Sequence, residues 1–255
     1  MIVKRFYATL LLFAFCLVNG SVCTADNSSK NLLMEMATTL AQAQHFTVTI
    51  SAKYDAVQKS GEKVEYSEQR EVTVQRPNHL RVEAQQSDGD KSRLIYDGKT
   101  ITLFSQAENV YSLTNHPGDI DTAVRYAGGR MGIRIPLARM LVTSLPQELE
   151  KLISSVVYVE KNLLNDPLDH IAVRSDDVDM QLWIGTDKLP RRIVLIYKNS
   201  PGQPQFRADF IGWNLNPCIA QEVFTFTPPQ GAEKIPTLMP VSTSKDKNDD
   251  KGGTK

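Results

Sequence analysis

From Phe46 onward the apolar residues alternate strictly with polar ones. Phe46, Val48, Ile50, Ala52 and Tyr54 are separated by Thr47, Thr49, Ser51, Lys53 and Asp55. That period belongs to a strand with one face buried and one face wet. Similar runs occupy 63–76, 80–86, 92–96, 101–105 and 110–113, and a second series occupies 156–160, 170–175, 178–184, 192–197, 205–213 and 223–227. Turn residues punctuate the first series: Gly61, Pro77-Asn78, Asp88-Gly89, Asp97-Gly98 and Glu108-Asn109. Asp97-Gly98 suits a tight hairpin, because glycine takes positive φ without steric cost. Connections this short join antiparallel neighbours.

Before Phe46 the period is helical. Leu32, Leu33, Met36, Leu40 and Ala43 recur along 31–45, with Ser28 or Ser29 available as an N-cap. Helical spacing returns between the two strand series, at 119–127, 136–143 and 147–155, with Pro136 and Pro146 placed where a first turn tolerates proline. A sheet with one apolar face needs cover on that side, and these helices are what the chain offers. The expected fold is therefore mainly β with helices (α+β). It is a curved antiparallel half-barrel of about eleven strands with helices over its concave face.

The chain has 255 residues, enough for one domain with a substantial core. Lys4-Arg5, the apolar run 6–18 and the small or polar residues through Ala25 have the layout of a secretory signal peptide. The run is thirteen residues, against the roughly 20 that a spanning helix needs. The expected boundaries are a signal peptide over 1–25, one domain over 26–235 and a disordered charged tail over 236–255, where apolar residues are too few to order the chain. Cleavage after Ala25 removes Cys16 and Cys23, so Cys218 remains without a disulfide partner; lipidation of Cys23 is the competing use of that leader. Lys4 and Arg5 leave too, giving 27 basic against 29 acidic residues, a balance without the footprint of nucleic-acid binding.

Motifs for chemistry are sparse. The histidines 45, 79, 116 and 170 are scattered, and none stands at a metal-ligand spacing with a second histidine or a cysteine. Gly128-Gly129-Arg130-Met131-Gly132 lacks the Lys-Ser/Thr of a phosphate loop and reads as a flexible link between helices. Asp88-Gly89-Asp90 and Asp176-Asp177-Val178-Asp179 miss calcium-loop spacing and read as hairpin turns. There is no G-x-S-x-G elbow, and Cys218 has no nearby histidine. The expectation is a protein without catalytic residues, metal or cofactor. The hairpin around Trp183 has apolar residues on both faces, suiting a central hairpin or, less simply, a ligand wall, while Phe206, Phe210, Trp213, Phe224 and Phe226 read as core.

Three short stretches are more specific in combination. Val74-Gln75-Arg76-Pro77-Asn78, Asp97-Gly98-Lys99-Thr100 and the run from Phe224 to Gly231 (FTFTPPQG), in that order after a leader and a helix-then-strand opening, resemble the LolA-like periplasmic lipoprotein carriers. The Trp183 hairpin and Leu189-Pro190-Arg191-Arg192 resemble an uncharacterised family of predicted periplasmic proteins, a domain of unknown function with the same fold. The resemblance implies an incomplete barrel closed by helices over a hydrophobic cavity. Its lining would come from Phe46, Val48, Ile50 and Tyr54, from Leu80, Val82 and Tyr96, and from Met180, Leu182, Phe206 and Phe210.

The same resemblance makes Arg76 a latch that bonds to a lid drawn from the 119–155 helices. An always-charged side chain with five donors suits that task. The bland alternative pairs Arg76 with Glu71 or Glu83. The implied function is a periplasmic binding or carrier protein for a lipid, a lipoprotein acyl chain or another hydrophobic ligand, with an envelope lipoprotein or membrane protein as a partner. The alternative is an envelope protein-interaction or sensor module without lipid cargo.

Overall fold

The computed structural model describes residues 23–133, 137–164 and 166–237. The expected leader, apart from residues 23–25, the residues of the expected tail after 237, and Pro136 lie outside the described residues.

The chain opens with helix α1 (Cys23–Gln42) and continues through β1 (His45–Val57), β2 (Lys63–Gln75), β3 (His79–Gln86), β4 (Lys91–Tyr96), β5 (Thr100–Ser105) and β6 (Val110–Asn115). Helix α2 (Ile120–Gly129), a 3-10 turn (Ala138–Leu141) and α3 (Leu145–Leu152) follow. Then come β7 (Ile153–Asn162), β8 (Leu168–Ser175), β9 (Val178–Ile184), β10 (Pro190–Tyr197), β11 (Gln205–Asn214), a 3-10 turn (Gln221–Phe224) and β12 (Glu233–Lys234). The described strands form one open, curved sheet in the order β12-β6-β5-β4-β3-β2-β1-β11-β10-β9-β8-β7. Its pairings are antiparallel except for β12 alongside β6.

Four expectations need correction. Helix α1 begins at Cys23, so Ser28 and Ser29 lie within it rather than capping it, because nothing from 23 to 30 breaks a helix. It also ends at Gln42, and His45 already pairs with Gln75 in the sheet. The segment 147–155 is helical only to Leu152, because Ile153 starts β7 opposite Ser175. Finally, 223–227 is not a strand: Phe224 and Phe226 alternate because they plug a surface, packing with tilted rings against His79 and against Phe104 and Tyr111, respectively. The twelfth strand is instead Glu233–Lys234.

Register carries one apolar row after another across the sheet. Phe46, Val74, Leu80, Tyr96, Ile101 and Thr114 stand opposite one another, as do Val48, Val72, Val82, Leu94, Leu103 and Ser112. In the other half, Ile50 faces Phe210, Tyr54 faces Phe206, and Leu182 lies between Ile193 and Ile171. These residues form the inner face, against which Leu33 and Met36 of α1 and Ile120, Ala123 and Ala127 of α2 bury their side chains. A second cluster joins Ala37 and Leu40 of α1 to Val142, Leu145 and Leu189. A bulge in β11 adds one residue between the partners of Thr47 and Thr49, with Gly212 at φ 67°. Glycine adopts that backbone freely. The extra residue turns Trp213 toward Phe46 and Phe210, and its Nε1 donates to the Pro190 carbonyl at 2.8 Å.

Candidate functional site

The three sequence motifs meet at one corner of the sheet. Arg76 follows β2, and its backbone N–H donates to the Gln44 carbonyl at 2.8 Å while the Pro77 carbonyl accepts from the Ile120 N–H at 2.8 Å. The peptide bond between Arg76 and Pro77 is cis. Gly98 lies at φ 87° so close to Asn78 that a Cβ there would come within 2.4 Å of the carboxamide nitrogen. Only glycine fits both the backbone and the gap. The Asp97 carboxylate closes this hairpin by accepting from the N–H groups of Lys99 and Thr100 at 2.9 and 2.7 Å. Phe224 closes the corner from outside, its ring tilted against that of His79 with centroids 5.0 Å apart.

Within this corner the Arg76 side chain is only 4% exposed. Its Nε donates to the Ala43 carbonyl at 3.0 Å, and one terminal nitrogen reaches the Leu40 carbonyl at 3.5 Å. Both acceptors belong to the C-terminal end of α1, where carbonyls lack helical partners and the helix dipole favours a cation. The other terminal nitrogen lies 3.9 Å from an Asp121 carboxylate oxygen in the first turn of α2. Burial holds the guanidinium below its ordinary pKa, and Asp121 acts in the opposite direction. Asp121 in turn accepts from the Thr143 N–H at 3.0 Å and from its hydroxyl at 2.6 Å. One arginine thus joins the end of α1, the start of α2 and the segment leading into α3. Glu71 and Glu83 are not its partners: Glu71 lies on the opposite face of β2, and Glu83 pairs with Arg81 and Arg93.

Helix α2 is fixed at its own start as well. Asp119 accepts from the Thr122 N–H at 2.8 Å and the Thr122 hydroxyl receives the Asp119 N–H at 3.2 Å, a reciprocal capping box. The bond from the Thr122 N–H is the main reason the Asp119 carboxyl lies below its usual range. At the other end α2 runs through Gly128 and Gly129, and the chain then turns Met131 and Ile133 back onto the inner face. The glycine-rich segment therefore delivers two apolar side chains to the sheet in addition to linking helices.

Beneath Met131 and Ile133 lies a cavity of about 470 Å³ over the inner face of β2 to β6. Its sheet wall grades in polarity along the strands. The row nearest the helices is Val82, Leu94, Leu103 and Ser112; the next is Arg70, Ala84, Ser92, Ser105 and Val110; the outermost is Glu68 and Gln86. Ile235, Pro236 and Thr237 complete the rim, held by the Ile235 N–H on the Tyr111 carbonyl at 2.8 Å and by a 2.6 Å hydroxyl contact between Thr237 and Thr114.

All eleven residues expected to line a cavity share the inner face, but they divide by what covers them. Phe46, Val48, Ile50, Leu80, Tyr96, Leu182, Phe206 and Phe210 are buried in the packed core, with Tyr54 and Met180 partly buried against it. Val82 lines the cavity. Among the lining residues that the sequence reading did not single out are Glu68, Arg70, Leu94, Leu103, Met131, Ile133 and Ile235. For Leu94 and Leu103 the signal was available, since they continue the apolar alternation, whereas Glu68 and Arg70 put charges at its apolar positions; Met131 lay inside the glycine-rich segment and Ile133 just beyond it.

On the outer face, Trp183 is sandwiched between His170, stacked at 4.0 Å, and the Arg192 guanidinium at 5.5 Å. Its hairpin is central in its half of the sheet. Among the described residues no group of three or more histidines, cysteines, aspartates or glutamates is placed to hold a metal, and Cys218 is free and exposed.

Among curated proteins none matches the chain. Solved structures share parts of its shape. The Pseudomonas aeruginosa MucA/MucB complex contains a chain 16% identical over 78% of this chain, with a TM-score of 0.43. The match spans 61% of that chain's length. An uncharacterised conserved protein from Thermus thermophilus is 10% identical, with 82% of this chain and 99% of that chain covered at a TM-score of 0.45. The LolA superfamily protein NE2245 from Nitrosomonas europaea is also 10% identical, with coverages of 78% and 97% and a TM-score of 0.34. Residues 29–238 match the family described as "Predicted periplasmic protein (DUF2092)", and the chain belongs to that family.

Proposed function

We propose that this protein is a non-enzymatic periplasmic binding or carrier protein for a lipid, a lipoprotein acyl chain or another hydrophobic ligand, exported behind a leader that ends at Ala25. The observation that carries the reading is the cavity of about 470 Å³ between the inner face of β2 to β6 and the Met131–Ile133 segment. Small-molecule sites occupy roughly 300–1,000 Å³ and combine apolar walls with a few polar groups. Each acyl methylene moved from water into such a wall gains about 0.8 kcal/mol, so a chain of modest length supplies the affinity without a cofactor.

In this reading Arg76 is the latch. It holds the start of α2 to the end of α1, and α2 positions Met131 and Ile133 over the cavity. Weakening Arg76 loosens that cover and speeds ligand exchange. The test is titration of the purified protein with a fluorescent fatty acid. Saturable uptake at one probe per chain, abolished by Ala84→Phe in a folded protein, supports the reading; absence of uptake by the wild type rejects it.

A second reading, an envelope protein-interaction or sensor module, is favoured by β7. This strand ends the sheet, and Val157, Val159, Leu163 and Leu164 along it and its following loop are exposed. An unpaired apolar edge suits addition of a strand from another protein. A stoichiometric protein partner recovered without bound lipid, and lost on Val157→Lys, distinguishes this reading from the first.

A further inference from the structure

Two charged side chains stand on the mainly apolar inner face. Glu68 and Arg70 are two residues apart on β2, so both project to the same side, and both line the cavity. They pair at 2.6 Å, with side chains only 10% and 14% exposed. Their cross-strand neighbours are Ala52 and Gln86 for Glu68, and Ile50 and Ala84 for Arg70. Such a pair is costly to place there, since taking two charges out of water consumes most of the attraction between them. Among the described residues Glu68 is the one ion-pair partner of Arg70, and it engages one terminal nitrogen of a guanidinium that carries five donors. Ser92 and Ser105 continue the Arg70 row across the sheet, beyond Ala84, and add hydroxyls to the cavity wall two and three strands away.

We propose that Arg70 is the receptor for an anionic headgroup, and that the ligand is a single-chain amphiphile bearing a carboxylate or phosphate. This rests on the cavity reading above. The alkyl chain lies along Val82, Leu94 and Leu103 beneath Met131 and Ile133, and the head reaches the row of Arg70, Ser92 and Ser105. Glu68 is the internal stand-in for that head: it occupies Arg70 in the empty protein and gives it up when the ligand's anion arrives. A planar guanidinium takes either oxyanion by paired, charge-assisted hydrogen bonds.

The experiment is displacement of a fluorescent fatty acid from the full chain by dodecanoate, dodecyl phosphate, dodecanol and methyl dodecanoate. The anionic pair should displace the probe at about tenfold lower concentration than the neutral pair, as one charge-assisted hydrogen bond predicts. Of the two anions, the more potent identifies the source as a fatty acid or a phosphate lipid. Arg70→Gln should erase the preference, and Glu68→Gln, which removes the competitor, should widen the preference for the anionic ligands over dodecanol by about tenfold. The double variant Glu68→Gln/Arg70→Gln, which leaves no unpaired charge, should bind all four alike and guards against misfolding of the single variants. Equal potency of all four competitors on the wild type overturns the headgroup proposal and leaves the cavity reading standing. Failure of the probe to bind at all overturns the cavity reading as well.

Discussion

Arg76 and Asp121 make a coupling that a double-mutant cycle reads directly. At 3.9 Å, and with an effective dielectric near 20, their gross attraction is about 4 kcal/mol. Desolvation of two nearly buried groups offsets much of it, and for Arg76 burial outweighs the neighbouring carboxylate. Arg76→Leu also removes the donor to the Ala43 carbonyl, a charge-assisted bond of roughly 1.5–3 kcal/mol, and leaves Asp121 with Thr143 as its remaining partner. Asp121→Asn keeps an acceptor for Thr143 but leaves the guanidinium facing only carbonyls.

Each single substitution should therefore cost about 2–3 kcal/mol, and the pair should cost about 1–2 kcal/mol less than the sum, within the range measured for contacting residues. Urea unfolding of the four proteins, with slopes checked for two-state behaviour, provides the numbers. Costs that add to within about 0.5 kcal/mol would show that the two residues act independently, and the account of one bridge between α1 and α2 would fail.

Gly98→Ala forces a Cβ toward Asn78 at positive φ and should lower stability by about 1–3 kcal/mol; an unchanged melting temperature would contradict the close approach. Glu83 is partly buried, which alone would raise its pKa, but Arg81 and Arg93 hold it below the usual glutamate range. Its contribution is therefore present above the unfolded pKa and lost as pH falls through the lower folded value. Urea midpoints of Glu83→Gln and wild type should differ near neutrality and converge in acid, and a gap that widens on acidification would refute this. Arg76→Leu should release a bound fluorescent fatty acid faster than wild type, and an unchanged release rate measured by stopped flow would remove the latch.

Much of the fold is written in local periodicity. β9 keeps its expected bounds, and β2 and β3 change by a residue at one end, because alternation over several positions reports which face is buried. The segment around Phe224 misled because side chains that plug a surface from a loop can also alternate, and the Pro228-Pro229 pair that follows was the available warning. The candidate site was legible to the level of a face and no further. Phe46 and Val82 share that face, yet one is packed core and the other lines a cavity; what separates them is where α1, α2 and Met131 come to rest. The Arg76 partners were hidden for another reason: the acceptors are backbone carbonyls 33 and 36 residues away, which no side-chain pattern records.

The central claim is that the cavity over β2 to β6 is where a hydrophobic ligand resides. The most direct measurement is photo-crosslinking of a diazirine-bearing fatty acid to the full chain, with the labelled residues mapped by peptide mass spectrometry. The account predicts label on Val82, Leu94, Leu103, Met131 and Ile133, competed away by unlabelled fatty acid. Label confined to the exposed apolar residues of β7 and its loop, or spread over the surface without competition, would contradict it.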